Sequence, residues 1–285
     1  MVLAQILLNG ILLGGLYGLM ALGMALVWGV LNIVNLSHGA LIMLGGYVVY
    51  YLFTIGGIDP FVALPIAMLV MFAVGFLLQY YLLNLVVRSK MLNTLLITFG
   101  LDVVLTYLAQ LTFSADFRTI NPPYAGANFA LFGLTVPSVR LAAFVVAIVL
   151  AAALWFLLHR MALGRAIRAT AQNLVAARLY GVNPSVLYAV TFGIGTALAG
   201  AAGGLYGMIA NLTPYIGASL TAKSFVIAII GGLSNPFYVI FGGIFVGIAE
   251  SLTALYIGPT YSDVISFGLL VVVLVLRPNR TLRTS

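Results

Sequence analysis

Long apolar runs, separated by short polar or glycine-rich interruptions, organise this chain from end to end. Val62 to Val87 and Val139 to Leu158 each reach the roughly 20 residues that a membrane helix needs. The pattern predicts nine such segments, at about 3–30, 36–56, 60–87, 93–113, 138–159, 185–210, 221–235, 237–257 and 262–276. The first run is long enough to hold a break, and the short run 221–235 is a candidate to dip in without crossing. Eight to ten crossings are therefore expected. The fold class that follows is all-α: a polytopic membrane protein with broken helices, forming one domain over residues 1–285.

Two breaks differ from the rest because polar residues accompany the glycines. Asn32, Asn35, Ser37, His38 and Gly39 interrupt the apolar sequence between Trp28 and Leu41, and Gly231, Gly232, Ser234, Asn235 and Pro236 interrupt it between Ile230 and Tyr238. Both contain Leu-Ser and then, at equal spacing, Gly-Gly: Leu36-Ser37 to Gly45-Gly46, and Leu233-Ser234 to Gly242-Gly243. Similar breaks in the two halves of a membrane chain point to an internal repeat whose broken helices line a path. Backbone unpaired at that depth survives only against protein or a water-filled cavity, so the breaks either line a passage or cross-link helices. The candidate path residues are Asn32, Asn35, Ser37, His38, Gly231, Gly232 and Ser234. The other glycine ridges, such as Gly10, Gly14 and Gly18, read as close helix packing.

Charge sets the orientation. Of the residues, 64% are hydrophobic and 6% charged, too few to cover a soluble globule. The net charge of +7 is spread over loops and is not gathered on one face with aromatic neighbours, which argues against nucleic acid and for anionic lipid. Arg88 and Lys90, then Arg160, Arg165, Arg168 and Arg178, then Arg277, Arg280 and Arg283 mark three cytoplasmic places by the positive-inside rule, while Arg118, Arg140 and Lys223 are exceptions. The N-terminus is then outside and the C-terminus inside. Met1 to Gln5 lacks the positive start of a signal peptide, so the first run is expected to be retained. With no cysteine, neither a disulfide nor a thiolate metal site is available.

Two loops are long enough to carry function. The outer one, 114–137, alternates Phe129, Leu131, Leu134 and Val136, which suits a short hairpin, a docking segment or a loop resting on head groups. In the inner one, 160–184, a helical wheel from Gly164 puts Arg165, Arg168, Ala169, Gln172 and Ala176 on one face, with Asn173 between and Ile167, Ala171 and Leu174 behind. Gly181 stops that helix and Pro184 prevents its continuation. A basic front broken by alanines suits insertion into a groove on a soluble partner; the alternative is a helix lying on anionic lipid.

Within the spans the carboxylates are Asp102 and Glu250. Each must face the bundle interior, a cavity or a partner charge. Glu250 is either a proton relay or a group hydrogen-bonded across helices. No G-x-x-x-x-G-K-[ST] occurs, so ATP binding by a P-loop is not expected on this chain, and no catalytic or metal-ligating motif is present.

Three stretches together resemble the LivH-type permeases of branched-chain amino acid ABC importers: Asn32 to Gly39, Gly164 to Asn183, and Lys223-Ser224-Phe225 through Gly231-Gly232-Leu233 and Gly242-Gly243 to Glu250. The resemblance runs through the whole chain, in order. It implies a permease of the bacterial or archaeal cytoplasmic membrane that pairs with a second, homologous, LivM-like permease. Two cytoplasmic ATPases, holding the ATP and magnesium, and a solute-binding protein complete the assembly. The inner helix, including Gly164 and Gly181, would be the coupling element, and the cargo a branched-chain or related hydrophobic amino acid. Asp102 stands where such permeases have a small or apolar residue, so no family role is carried onto it. An ion-coupled secondary transporter, or a channel for a small polar solute, is the alternative.

Overall fold

In the computed structural model the described residues are 2–87, 91–131, 133–233 and 235–276. Among them the helices are α1 (Val2–Leu31), α2 (His38–Thr54), α3 (Pro60–Leu77), α4 (Met91–Phe113), α5 (Ser138–Arg160), α6 (Ala162–Gln172), α7 (Leu174–Leu179), α8 (Pro184–Gly207), α9 (Gly217–Gly231), α10 (Pro236–Tyr256) and α11 (Ser262–Leu276). Seven are long and apolar enough to cross a membrane, and α2 and part of α11 are shorter apolar helices. The chain is an all-α, multi-pass membrane protein. The nine expected segments correspond to these elements, with one correction: the first run holds no break, because α1 is continuous from Val2 to Leu31.

Helices α1 and α8 form the centre, buried along most of their length. Glycine makes their close contacts. A Cβ added to Gly10 or Gly18 would stand 2.8 Å from the Cα of Ile248 or Ile240 on α10, so the four-residue spacing is a ridge for backbone contact. Gly23 meets Gly195 where α1 crosses α8. The two equally spaced Gly-Gly pairs play corresponding parts: Gly45 and Gly46 of α2 seat against Gly200 and Gly203 of α8, and Gly243 of α10 seats against Gly14 and Gly18 of α1. The repeat therefore has a structural counterpart in the helix that follows each break.

Helices α2 and α9 are short. At about 1.5 Å per residue, α2 extends roughly 25 Å, less than a hydrocarbon core of about 30 Å, and α9 reaches a spanning length only with the turn before it, as 214–231. The His38 ring donates from Nε2 to the carbonyl of Met20, in the middle of α1, so segment 32–37 leads back from the end of α1 to that depth before α2 begins. There the start of α9 meets it, with Gly217 lying against Gly39 and Ala40. Helix α9 then runs towards the end of α1, where Phe225 stacks on Trp28 with centroids 5.2 Å apart.

At the opposite end, strands β1 (Asn128–Leu131) and β2 (Leu134–Pro137) pair antiparallel, with Phe129 opposite Val136. The outer-loop alternation is thus a hairpin. Gln5 binds both the amide and the carbonyl of Thr135, at 2.8 and 2.7 Å, which puts the start of α1 at the hairpin end. Arg118 and Leu212 exchange backbone hydrogen bonds, and the Tyr124 hydroxyl donates to Asp59 at 2.8 Å. Burial first, and then this bond to a carboxylate, raise the Tyr124 hydroxyl above its ordinary value.

Candidate path and coupling site

The first break is sealed. Asn32 ends α1 at φ 55°, a left-handed position that asparagine tolerates, with its amide on the Trp28 carbonyl. Asn35 Oδ1 then accepts from the Ser37 amide at 3.1 Å and from the Ser37 hydroxyl at 2.7 Å. Helix α9 contributes Thr221, whose hydroxyl accepts from the Gly39 amide at 2.7 Å and donates to the Leu36 carbonyl at 3.1 Å. From α4, Thr98 donates to the Val34 carbonyl. Side chains thus replace the missing helical hydrogen bonds, as the interior of a bilayer requires. Asn35, Ser37 and His38 are at most 1% exposed, and of the first-break candidates only Asn32 is exposed.

The second break is open. Gly232 follows α9 at φ 80° and ψ 161°, a conformation nearly confined to glycine, with nothing within 4 Å of an added Cβ. Asn235 Oδ1 accepts from the Phe237 amide at 3.0 Å and caps α10, whose first residue is Pro236. Ser234 lies outside the described residues. Leu233 packs on Gly29 of α1 and, with Asn235, lines a cavity of about 210 Å³ whose opposite wall carries Arg168 and Gln172 of α6. Of the expected path residues Asn32, Asn35, Ser37, His38, Gly231 and Gly232, none lines it, and Gly231 is packed against Tyr238 and Val239 of α10. The cavity touches the second break through its neighbours Leu233, Asn235 and Pro236.

Segment 160–184 is an arm of two helices, not the single helix expected. Asn173 takes an extended conformation, ends α6, and caps α7 by accepting from the Ala176 amide at 2.9 Å. Gly181, at φ 81°, stops the arm as expected. Ile167, Ala171 and Leu174 pack into the core, and Gly164 lies buried under Leu157 and Leu158 of α5. Arg168 departs from the predicted front face. Its guanidinium donates back to the Leu158 carbonyl, satisfying the C-terminal end of α5. The free face is a groove lined by Arg165, Ala169, Gln172, Asn173, Ala176 and Tyr180. Beside it Val175, Leu179 and Tyr180 are 68%, 84% and 89% exposed. Large exposed apolar groups next to arginines are the composition of a protein contact.

The two carboxylates differ. Glu250 lies between Lys223 of α9, whose Nζ is 2.9 and 3.1 Å from its two oxygens, and Ser266 of α11, which donates to it at 2.6 Å. Asp102, on the more peripheral α4, has one buried oxygen with no hydrogen-bond partner among the described residues.

Residues 6–274 match the family described as branched-chain amino acid transport system / permease component. The chain belongs to that family. BraD of Pseudomonas aeruginosa, a high-affinity branched-chain amino acid transport system permease protein, is 31% identical over 96% of this chain and 94% of its own. LivH of Escherichia coli K12, described in the same words, is also 31% identical with the same coverage. LivM of that organism is 28% identical over 93% of this chain and 67% of its own. No solved structure matches.

In this permease several contributors escaped the sequence reading. Thr98 and Thr221 close the first break from helices α4 and α9. Tyr180 and Leu179 form the exposed tip of the arm. Lys223 is the counter-charge of Glu250. Its signal was present, since a lysine and a glutamate both set in apolar spans call for each other.

Proposed function

We propose that this permease is the membrane subunit of an ATP-driven importer for branched-chain or related hydrophobic amino acids. It works in the cytoplasmic membrane beside a second, LivM-like permease. The hairpin end faces outward, towards a solute-binding protein, and the arm faces the cytoplasm, where two ATPases bind ATP and magnesium. The observation that carries this reading is the joint position of α6: its free face is a groove with exposed apolar neighbours, and its other side walls the cavity under the second break. A partner that pushes on the groove moves Arg168 and Gln172 against Leu233 and Asn235. Closure of the ATPases thereby alters the mouth of the path. The names borne by BraD, LivH and LivM support the choice of cargo and of a paired permease.

Two substitutions on α6 test this. Arg165→Glu, on the exposed face, is expected to weaken co-purification of the ATPases by about 10- to 100-fold, the loss of a contact to a charged group, and to leave melting of the permease unchanged. Arg168→Met is expected to lower the melting temperature because it strips a partner from the end of α5. Normal ATPase capture by Arg165→Glu returns the arm to a lipid-surface role. Uptake must also survive collapse of the proton gradient while ATP is maintained.

A further inference from the structure

Helix α9 reaches a spanning length only with the turn before it, so hydrophobic length alone leaves its depth loosely set. Its 15 residues begin after a 3-10 turn, with no side-chain cap at Ile216, and end at Gly232. Side chains must fix it, and they do so on two faces. Thr221 ties one face to the start of α2 through Leu36 and Gly39. Lys223, two residues on and about 200° around the helix, ties the other face to three helices. Its Nζ meets Glu250 of α10, lies 3.3 Å from the Tyr17 hydroxyl of α1, and stands 4.4 Å from the centre of the Tyr17 ring. Glu250 is in turn held by Ser266 of α11.

We infer that Lys223 and Glu250 are positioning residues for transport: together they set the depth and tilt of α9, and through Thr221 the place where α9 and α2 meet. Burying two charges is costly, and an apolar pair of similar volume serves stability as well or better; what the ion pair adds is a single geometry. A relay carboxyl needs access to a cavity. Glu250 is 5% exposed, is bound on both oxygens, and with Lys223 stands apart from the cavity under the second break. The pair holds α9 and does not carry a proton or the solute.

The chain has two tryptophans, and Trp28 stacks on Phe225, two residues beyond Lys223. In a Trp155→Phe background, Trp28 fluorescence therefore reports where α9 sits. Acrylamide quenching of Trp28 is read on the purified permease chain in detergent, where no partner tryptophan contributes, and uptake of radiolabelled leucine on the full transporter. Glu250→Gln and Lys223→Met, each leaving a charge or polar group without its partner, are expected to raise quenching about twofold and cut uptake about tenfold. The exchanged pair Lys223→Glu/Glu250→Lys is expected to return quenching to the parental value and uptake to within about threefold, whereas the apolar pair Lys223→Met/Glu250→Met, which keeps stability and loses the single geometry, is expected to leave quenching raised. The pH profile of uptake keeps its shape in the exchanged pair. Single variants that lose uptake with quenching unchanged, or with a shifted pH profile, overturn the inference in favour of a relay. Failure of the exchanged pair to restore quenching, or its restoration by the apolar pair, overturns it as well. Leucine uptake depends on the transport reading above; a parent that carries no leucine defeats that reading, and the quenching arm still decides this one.

Discussion

The two breaks carry the same sequence cue and reach opposite ends. At the first, polar side chains turn inward: Asn35 caps Ser37, His38 reaches Met20, and Thr221 serves both Leu36 and Gly39. At the second, among the described residues, Asn235 performs such a duty, towards Phe237, and an added Cβ at Gly232 meets open space. The difference lies in what surrounds each. Helices α1, α4 and α9 enclose the first, whereas the second lies at a bundle end beside a cavity walled by α1, α5 and α6. A polar interruption in a membrane span thus marks where the helix stops. Neighbouring helices decide whether it becomes a joint or a mouth.

Glycine substitution sharpens that contrast most. Gly39→Ala pushes a methyl group into the Gly217 carbonyl and to 2.6 Å from the Thr221 hydroxyl, with no flexible end to yield. The expected cost is about 3 kcal/mol or more, read as loss of monodisperse protein on size exclusion in detergent. Gly232→Ala meets open space and costs only the strain of φ 80°, about 1–3 kcal/mol, so folded protein is recovered with a lower melting temperature. Equal yields from the two would erase the distinction.

Removing one cap from each side gives a smaller difference. Thr221→Val leaves a buried amide and a buried carbonyl unpaired at the first break, a loss of roughly 2–4 kcal/mol. Asn235→Ala removes one N-cap near a cavity that water can enter, about 1 kcal/mol. Thermal melts of the two variants, ranked the other way, would place the sealed joint at the wrong break.

The smallest effect is expected at the hairpin end, which neither break touches. Because the Tyr124 hydroxyl titrates above its ordinary value, near 10, the folded chain keeps that proton when the unfolded chain has lost it. Its contribution is complete below about pH 10 and fades as pH rises towards the folded value. Tyr124→Phe should therefore flatten the alkaline loss of stability above about pH 10 and, at neutral pH, cost no more than about 1 kcal/mol for the lost exposed bond. An unchanged alkaline slope would show that the bond to Asp59 does not shape the titration.

The apolar periodicity made the helices legible, and Gly181 and Pro184 were readable as stops because each acts locally. What was not legible depends on partners distant in sequence. Arg168 belongs on the front of a helical wheel, yet the end of α5 lies within its reach and offers an unpaired carbonyl. Asn173 looks like one polar residue in a helix until its side chain is seen capping α7. Asn35, Ser37 and His38 read as path residues because wheels and runs show only that backbone is interrupted. The threonines that satisfy it come from positions 98 and 221.

The central claim is that the second break, moved by the arm, is the cytoplasmic mouth, and the first is a closed joint. The chain has no cysteine, so single replacements give a clean signal. Leu233→Cys and Ser37→Cys, each in inside-out vesicles holding the full transporter, are treated with a membrane-impermeant thiol reagent, with and without a non-hydrolysable ATP analogue. Leu233 is 39% exposed and Ser37 fully buried, so the first variant is predicted to label at a rate that changes by several-fold with the nucleotide. The second is predicted not to label in either state. Labelling at position 37, or labelling at position 233 that ignores the nucleotide, would contradict the account.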